Sequence, residues 1–312
     1  MTVLVSPFVA GDGGSEMTAA IRNRRPGLAL EHADDEAAFD ERLPDAEIVI
    51  TQRLSTDVLE QVPDLEWVQA LSAGTDSYDH EAFAEHDVAL TNTSGVHADP
   101  IAQQVLGYLL YFERDFDRAV AQQRRREWDR FGGGELGDRT VGIVGVGAIG
   151  SRVARYCRHF DARLLGVKRD PTVAPAALEA VYAPDDLEAV LAESDYLLLS
   201  CPLTEATRGM IDADALATLP DQAVLVNVAR GEVVEEDALV DALEGDELGG
   251  AALDVFEEEP LHESSTFWNR EDVLITPHMA GSTPHYWERC AELFVENYER
   301  FLSGEPLENR VV

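Results

Sequence analysis

The feature that most constrains this chain is a glycine-rich turn, residues 145–150, whose sequence GVGAIG matches G-x-G-x-x-G. It directly follows an apolar segment, 141–144, and it opens an amphipathic segment over 148–160. In this strand–turn–helix context the three glycines allow a tight turn, close approach of the backbone to a pyrophosphate, and close packing of helix on strand. The N-terminus of the helix also favours an anion. The pattern therefore predicts a dinucleotide site at the start of a βαβ unit.

Short apolar segments alternate with amphipathic segments on both sides of this turn. The strands predicted before it are 3–5, 48–50, 67–70 and 88–90, and the helices between them are 16–25, 36–42 and 56–61. A single long helix is predicted over 99–126. The strands predicted from the turn onwards are 140–144, 163–167, 195–200, 223–228, 249–253 and 273–276. Strands that alternate with helices indicate parallel sheets covered by helices on their faces.

The second series of strands fits one doubly wound nucleotide domain. Two long helices, 99–126 and 283–302, flank this series, which suggests an insertion. We therefore predict an α/β chain with two doubly wound, Rossmann-like domains. A dinucleotide-binding domain, 99–284, is inserted into a flavodoxin-like substrate domain, 1–98 and 285–312. A cleft between two α/β domains is a usual place for a substrate.

Charge limits the partners that this chain can have. The 312 residues include 24 Lys+Arg and 60 Asp+Glu, which gives a formal net charge of −36. Nucleic acids and anionic membranes both attract basic proteins, so neither partner is expected. No apolar run is long enough to span a membrane. The first residues lack the basic segment of a secretory signal, so a cytoplasmic protein is expected.

The positive residues are almost all arginine, because Lys168 is the only lysine. A strongly acidic surface repels itself at low ionic strength, whereas molar salt shortens the Debye length to about 3 Å and screens the repulsion. We hypothesise adaptation to a cytoplasm of high salt content. An ordinary acidic enzyme is the alternative.

The position of that lysine bears on the cofactor. NAD-binding units usually place an acidic residue about 20 residues after the glycine turn, where it binds the ribose 2′-hydroxyl. Here Lys168 and Arg169 follow the second predicted strand, and Lys168 lies eighteen residues after Gly150. Both cations would attract a 2′-phosphate. NADP is therefore the expected cofactor, with tolerance of NAD, although the nearby Asp170 could also reach a ribose hydroxyl.

Three further segments end predicted strands and bring polar residues to one edge of the sheet. They are 226–231 with Arg230, 252–260 with Glu259, and 275–283 with His278. The carboxyl ends of parallel strands form the ligand crevice of a doubly wound sheet. From the residues alone, Arg230 could instead belong to a structural ion pair, and His97 and His285 compete with His278.

Together with residues 72–76 (SAGTD) and 202–204 (PLT), these segments resemble the D-isomer-specific 2-hydroxyacid dehydrogenase family. The family also includes glyoxylate/hydroxypyruvate reductases and phosphoglycerate dehydrogenases. The resemblance implies reversible, NAD(P)H-dependent reduction of 2-keto acids to D-2-hydroxy acids. The alternatives are a glyoxylate/hydroxypyruvate reductase, or a non-catalytic dinucleotide-sensing scaffold like the corepressor relatives of the family.

The resemblance also assigns roles to individual residues. Arg230 matches the arginine that would bind the carboxylate and carbonyl oxygens of the keto acid. His278 matches the acid/base residue that would protonate the carbonyl oxygen as hydride arrives. Glu259, directly before Pro260, matches its acidic partner, since a carboxylate favours the charged imidazolium and fixes the ring.

Further binding residues are expected from the same match. The backbone N–H groups of Ala73 and Gly74 would receive the substrate carboxylate, and Leu54 and Tyr78 would line the side-chain pocket. The complete set of expected cofactor-binding residues is Gly145, Gly147, Ala148, Ile149, Gly150, Lys168, Arg169, Cys201, Pro202, Thr207, Val228, Ala229, Asp254 and His278.

Other features concern packing and assembly. The family often has Ala-Glu near the start of the first connecting helix, whereas here Ala102 is followed by Gln103 and Gln104. Trp128 lies in a segment that often reaches a partner subunit in the family, so a homodimer is expected, although Trp128 could equally be a packed aromatic residue of a loop. No H-x-x-x-H or C-x-x-C spacing predicts a metal site. The three cysteines are expected to be reduced and buried.

Overall fold

The computed structural model describes residues 1–7, 13–75 and 77–312. The chain divides into two compact units, which we call the first unit (residues 1–97 and 283–312) and the second unit (residues 98–282). These bounds differ from the predicted domain bounds by one or two residues. The assignment of a substrate role to one unit and a nucleotide role to the other stays a prediction.

The first unit contains a five-stranded parallel sheet in the order β2-β1-β3-β4-β5. Its described helices and strands up to residue 97 are β1 (Val3–Val5), α1 (Gly13–Arg24), β2 (Leu30–His32), α2 (Glu36–Arg42), β3 (Ile48–Thr51), α3 (Asp57–Gln61), β4 (Trp67–Ala70), α4 (His80–Glu85) and β5 (Ala89–Thr91). Every residue of β1, β3 and β4 is buried, because helices cover both faces of a parallel sheet. This strand order is the flavodoxin-like one, as predicted.

The second unit contains a seven-stranded parallel sheet in the order β12-β11-β10-β9-β6-β7-β8. Its helices and strands are α5 (Ala98–Glu113), α6 (Phe116–Arg125), β6 (Thr140–Val144), α7 (Ala148–Cys157), β7 (Arg163–Val167), β8 (Ala180–Tyr182), α8 (Leu187–Leu191), β9 (Tyr196–Leu199), α9 (Ala213–Thr218), β10 (Val224–Asn227), α10 (Glu236–Glu244), β11 (Gly250–Leu253) and β12 (Val273–Ile275). Six of the strands follow the Rossmann order 3-2-1-4-5-6, and β12 extends the sheet beside β11. The predicted fold class is therefore confirmed for both units.

The last helix, α11 (Tyr286–Ser303), belongs to the first unit. Trp67 of β4 stacks on Phe294 of this helix at 5.1 Å between ring centroids, and on Phe301 at 5.7 Å. Both Trp67 and Phe294 are fully buried, so the final helix covers one face of the sheet formed by the beginning of the chain. The predicted helix over 283–302 is confirmed within three residues at its start.

The single helix predicted over 99–126 is wrong, because the structure has two helices there. Asp115 adopts a left-handed conformation, with φ +49°, between α5 and α6. Short polar side chains tolerate that region better than most, so no Gly or Pro marks the break in the sequence. The short strands β2 and β8 were also not predicted. Among the described residues, no helix combines the length and the apolar character that crossing a bilayer requires.

Candidate functional site

The glycine turn after β6 has the tight geometry that its pattern predicts. Gly145 has φ +96°, and its N–H donates to the carbonyl of Val167 at 3.0 Å. A Cβ atom on Gly145 would lie 2.5 Å from the backbone nitrogen of Cys201. Only glycine fits this backbone conformation and this close approach without strain. The turn therefore packs tightly against the end of β9.

Gly150 and Gly147 have opposite surroundings. A Cβ on Gly150 would lie 2.4 Å from the carbonyl oxygen of Gly145, so glycine is needed here for α7 to pack on β6. A Cβ on Gly147 would meet no atom within 4 Å. Gly147 is the N-cap of α7 and has no side chain to cap the first N–H groups of the helix. The space in front of these groups suits a ligand that approaches the backbone closely.

The charge distribution at this helix start is unusual for the chain. The first turn of α7 carries no acidic residue, whereas the first turn of every other α-helix in the described ranges carries at least one. Acidic residues are ordinarily favourable at helix N-termini. Their omission here, in a chain with 60 of them, fits an anionic group such as a dinucleotide pyrophosphate.

Two cations follow the end of β7. The Lys168 ammonium donates to the carbonyl of Val173 at 3.0 Å, and the Arg169 side chain is exposed. Asp170 accepts two hydrogen bonds from Thr172, one from its N–H at 3.0 Å and one from its hydroxyl. These bonds, and secondarily the charge of Lys168, lower the pKa of Asp170. The carboxylate of Asp170 is thus engaged within its own turn, whereas Arg169 has no ion-pair partner among the described residues.

The predicted residues after β9 form a closed turn. The Thr207 hydroxyl donates to the carbonyl of Pro202 at 2.7 Å and accepts from the N–H of Thr204 at 2.8 Å. Cys201 lies just before this turn, and burial raises the pKa of its thiol to about 11. The thiol is therefore protonated near neutral pH and has little nucleophilic character.

Asn227 at the end of β10 holds the segment that carries Arg230. Its amide nitrogen donates to the carbonyl of Arg230 at 3.0 Å, and its amide oxygen accepts from the N–H of Ala229 at 3.0 Å. Val228 and Ala229 are buried, while Arg230 is half-buried and donates to the carbonyl of Ala229 at 2.7 Å. Arg230 retains further N–H donors for a ligand, since a guanidinium has five.

The next residue brings this segment against the one after β11. A Cβ on Gly231 would lie 1.9 Å from the carbonyl carbon of Phe256. Only a glycine permits such an approach of two backbones. The Arg230 segment therefore packs directly on the segment that leads to Glu259.

His278 and Glu259 form the predicted pair. The distance from His278 Nδ1 to Glu259 Oε2 is 2.7 Å, and Glu259 Oε1 accepts from the N–H of Phe256 at 3.1 Å. An ionised carboxylate can only accept, so Nδ1 carries a hydrogen and Nε2 is left for a ligand. The His278 side chain is 54% exposed and that of Glu259 36% exposed. The imidazole is thus held at one nitrogen and open at the other.

Asp254 is engaged with the backbone of the His278 loop, which we define as residues 276–282. Its side chain is 2% exposed. Oδ1 accepts from the N–H of Met279 at 2.9 Å and from the Thr276 hydroxyl at 2.5 Å, and Oδ2 accepts from the N–H of Ala280 at 2.9 Å. The carbonyl of Asp254 also accepts from the N–H of His278 at 2.8 Å. A cofactor contact of Asp254 stays a prediction.

Three residues that hydrogen-bond within or to these segments are not among those predicted from the sequence, namely Asn227, Thr276 and Tyr108. Asn227 and Thr276 lie in segments that were singled out for their strand-end position. Their spacing carries no signal for the hydrogen bonds that they make. Tyr108 lies on α5, far from these segments in the chain, and its hydroxyl is 2.5 Å from the Thr276 hydroxyl.

The substrate-binding residues expected in the first unit follow two neighbouring strands, with Leu54 after β3 and Ala73, Gly74 and Tyr78 after β4. Ser72 Oγ donates to the carbonyl of Gly74 at 2.6 Å, and the amide nitrogen of Asn92 donates to the carbonyl of Ala73 at 2.8 Å. Tyr78 is buried and donates to the carbonyl of Thr51 at 3.3 Å, and Leu54 packs at the edge of the same core. Asp76 lies outside the described residues. The binding role of these residues stays a prediction.

The competing histidines have other partners. The His97 ring stacks on Tyr286 at 4.8 Å between centroids, and His285 is 4.0 Å from a carboxylate oxygen of Glu288. Within residues 1–7, 13–75 and 77–312, no group of three or more His, Cys, Asp or Glu side chains is arranged to hold a metal ion.

Comparisons with known proteins agree on one family. The model of the D-isomer specific 2-hydroxyacid dehydrogenase NAD-binding domain matches residues 106–280. A glyoxylate reductase of Pyrococcus furiosus is 36% identical over 278 residues, which cover 85% of this chain and 82% of that protein.

Two solved structures resemble the whole chain. One is a D-isomer specific 2-hydroxyacid dehydrogenase from Xanthobacter autotrophicus in complex with NADPH and MES, with a TM-score of 0.87 and 30% identity. The other is an NADPH-dependent glyoxylate/hydroxypyruvate reductase from Sinorhizobium meliloti in complex with NADP and sulfate, with a TM-score of 0.85 and 28% identity. Each match covers 100% of this chain and 98% of the other.

Substitutions of two glycines separate ligand binding from folding. We expect Gly147→Ala to leave the melting temperature unchanged, because its Cβ would enter open space, but to weaken NADPH binding about tenfold. Gly145→Ala should instead lower the melting temperature, because its φ is +96° and its Cβ would clash with Cys201. Calorimetric titration and thermal melts measure both effects. Unchanged NADPH binding by Gly147→Ala would show that the cofactor does not approach this turn.

Proposed function

The chain belongs to the D-isomer specific 2-hydroxyacid dehydrogenase family, and we propose that it reduces 2-keto acids to D-2-hydroxy acids with Arg230, Glu259 and His278 as its catalytic residues. The oxidoreductase activity and the use of NAD(P)H follow from the family. The main support for the residue roles is the 2.7 Å contact between His278 and Glu259, on segments that end neighbouring strands.

The chemistry needs one anion-binding group and one proton donor. Arg230 binds the carboxylate of the keto acid through paired N–H donors, which orients the carbonyl carbon. When bound, the reduced nicotinamide supplies a hydride to that carbon. His278 donates the proton on Nε2 to the carbonyl oxygen, where negative charge develops. Glu259 stabilises the imidazolium and holds its ring, and His278 takes the proton back in the oxidative direction.

A small keto acid is the substrate class that the relatives favour. The similar proteins from Pyrococcus furiosus and Sinorhizobium meliloti are named as reductases of glyoxylate, or of glyoxylate and hydroxypyruvate. A glyoxylate/hydroxypyruvate reductase therefore remains the alternative within the same chemistry. A non-catalytic sensor is disfavoured, because it would not need the His278–Glu259 pair.

For the cofactor, we propose a preference for NADP over NAD. Lys168 and Arg169 stand at the end of β7, where an NAD-binding unit usually has an acid. Asp170 is engaged by Thr172 and so competes less for a ribose hydroxyl. The two similar solved structures were described with NADPH or NADP.

We also propose a homodimer in the cytoplasm, adapted to high salt. Trp128 is 93% exposed, and Phe116 and Val120 of α6 are also exposed, which is apolar surface that a second copy could cover. The three cysteines are free and buried, which suits a reducing compartment. The net charge of −36 with one lysine supports the proposed salt adaptation.

Turnover of a keto-acid series tests the activity. Glyoxylate, hydroxypyruvate, pyruvate and branched 2-keto acids are assayed with NADPH in about 3 M KCl. We expect turnover, and we expect His278→Ala to lower kcat about 100-fold or more, because the proton donor is lost. His159→Ala is the matched control, since His159 is an exposed histidine of the same unit. Retention of most of the activity by His278→Ala would contradict the assigned role.

A second experiment tests the cofactor preference. We expect Lys168→Gln to raise the KM for NADPH about tenfold and to leave that for NADH nearly unchanged, because only NADPH carries a 2′-phosphate. Arg158→Gln is the control, since Arg158 is also a cation whose side chain donates to a backbone carbonyl. A wild-type protein that uses NADH more efficiently than NADPH would refute the proposal.

Thermal unfolding tests the salt adaptation. We expect the melting temperature to rise as KCl increases from about 0.2 M to about 3 M, because screening removes the repulsion within the acidic surface. Sucrose serves as the uncharged control and should not reproduce the full increase. A melting temperature that stays constant or falls as KCl increases would contradict the proposed salt adaptation.

A further inference from the structure

A hydrogen-bond chain connects α5 to the loop that carries the proposed proton donor. The Gln104 side-chain nitrogen donates to the Tyr108 hydroxyl at 3.0 Å. That hydroxyl is 2.5 Å from the hydroxyl of Thr276, which in turn donates to Asp254 Oδ1 at 2.5 Å. All four residues lie in the second unit.

The direction of every hydrogen bond in this chain is determined by its last member. The ionised carboxylate of Asp254 only accepts, so the single hydroxyl hydrogen of Thr276 points to it. The hydrogen between Tyr108 and Thr276 must then come from Tyr108. The Tyr108 oxygen is left to accept from the amide of Gln104. The chain thus has one orientation, from α5 to the carboxylate.

The residues of this hydrogen-bond chain have few other hydrogen-bond partners to replace one another. Tyr108 and Asp254 are each 2% exposed, so water replaces neither partner easily. Burial, and secondarily the charge of Asp254, raises the pKa of Tyr108, so its hydroxyl stays protonated and remains a donor. Loss of this hydroxyl would leave Thr276 without its donor and Gln104 without its acceptor.

Asp254 connects this hydrogen-bond chain to the backbone around His278. Its two carboxylate oxygens hold the N–H groups of Met279 and Ala280, and its carbonyl holds the N–H of His278. His278 itself has φ +47°, a left-handed conformation that a non-glycine residue keeps when its surroundings hold it there. The loop backbone therefore depends on the placement of the Asp254 carboxylate.

We propose that Tyr108 is a positioning residue for His278, acting through Thr276 and Asp254, and that Gln104 orients the Tyr108 hydroxyl. The inference rests on the proposed function, since it takes His278 as the acid/base residue. It also gives a role to Gln104, one of the two glutamines that depart from the usual Ala-Glu pattern at the start of this helix.

Substitutions along the chain test this role. We expect Tyr108→Phe and Thr276→Val each to lower kcat about five- to tenfold, with the KM for NADPH within about twofold of wild type, because the proton donor is less well placed. Thr276→Ser keeps the hydroxyl and should retain kcat within about twofold. Tyr111→Phe, on the same helix but without a hydrogen bond from its hydroxyl among the described residues, is the matched control and should not change kcat.

The double variant distinguishes a serial chain from general damage. If Tyr108 acts only through Thr276, then Tyr108→Phe with Thr276→Val should lower kcat no further than Thr276→Val alone. Multiplied losses in the double variant would overturn the proposal. An unchanged kcat in Tyr108→Phe would also overturn it.

Hydrogen exchange supplies a readout that does not depend on activity. Amide exchange in residues 276–282 should become faster in Tyr108→Phe and Thr276→Val, and should stay unchanged in Tyr111→Phe. If Tyr108→Phe does not fold, Gln104→Met replaces it, and we expect that variant to lose kcat twofold to threefold. An unchanged kcat in Gln104→Met would then contradict the proposal. A wild type without keto-acid turnover would refute the proposed function, whereas an active wild type with unaffected variants would refute only this inference.

Discussion

The buried carboxylate of Asp254 is the group on which the proposed active site depends. A charge that is withdrawn from water must find hydrogen-bond donors, and Asp254 finds three, from Thr276, Met279 and Ala280. Its own N–H donates to the carbonyl of Asn227 at 3.0 Å, so the ends of β10, β11 and the segment after β12 are tied together. These are the strand ends that carry Arg230, Glu259 and His278. The hydrogen bonds that hold the loop are therefore the same ones that satisfy the buried carboxylate.

The overall charge makes the few favourable positions for an anion easier to identify. A −36 chain repels both a dinucleotide and a keto acid at long range, and salt screens that part of the field. At contact distance only local groups matter. The open start of α7 without acids, the pair Lys168 and Arg169, and Arg230 are such groups. All of them lie in the second unit, at turns that follow strands.

The sequence predicted most of the fold because strands buried on both faces read as apolar runs, as in 140–144 and 163–167. The unpredicted strands β2 and β8 lie at sheet edges, and neither is buried throughout, since β2 has the sequence Leu-Glu-His and all three residues of β8 are only half-buried. The break between α5 and α6 at Asp115 could not be predicted from the sequence, because an aspartate can adopt the left-handed conformation and no Gly or Pro marks the position. At the site, strand-end position pointed to the segment that carries His278, but from the residues alone His97 and His285 competed with it, and the resemblance to the family selected His278. Strand-end position could not identify Tyr108, whose contact with Thr276 spans 168 residues and exists only in the folded chain.

The two acidic residues that contact His278 and its loop, Glu259 and Asp254, have different surroundings. Glu259 is 36% exposed and contacts the ring, so in the proposed mechanism it would stabilise the charge that the imidazole gains. Asp254 is 2% exposed and pairs with no cation among the described residues, and both of its carboxylate oxygens accept hydrogen bonds from neutral donors. Such a carboxylate is costly to bury unless all its donors stay in place, so it resists any movement of the loop. In the proposed mechanism, the backbone of the His278 loop and the imidazole ring thus have separate anionic partners, so a change in the charge of the ring does not require the loop to move.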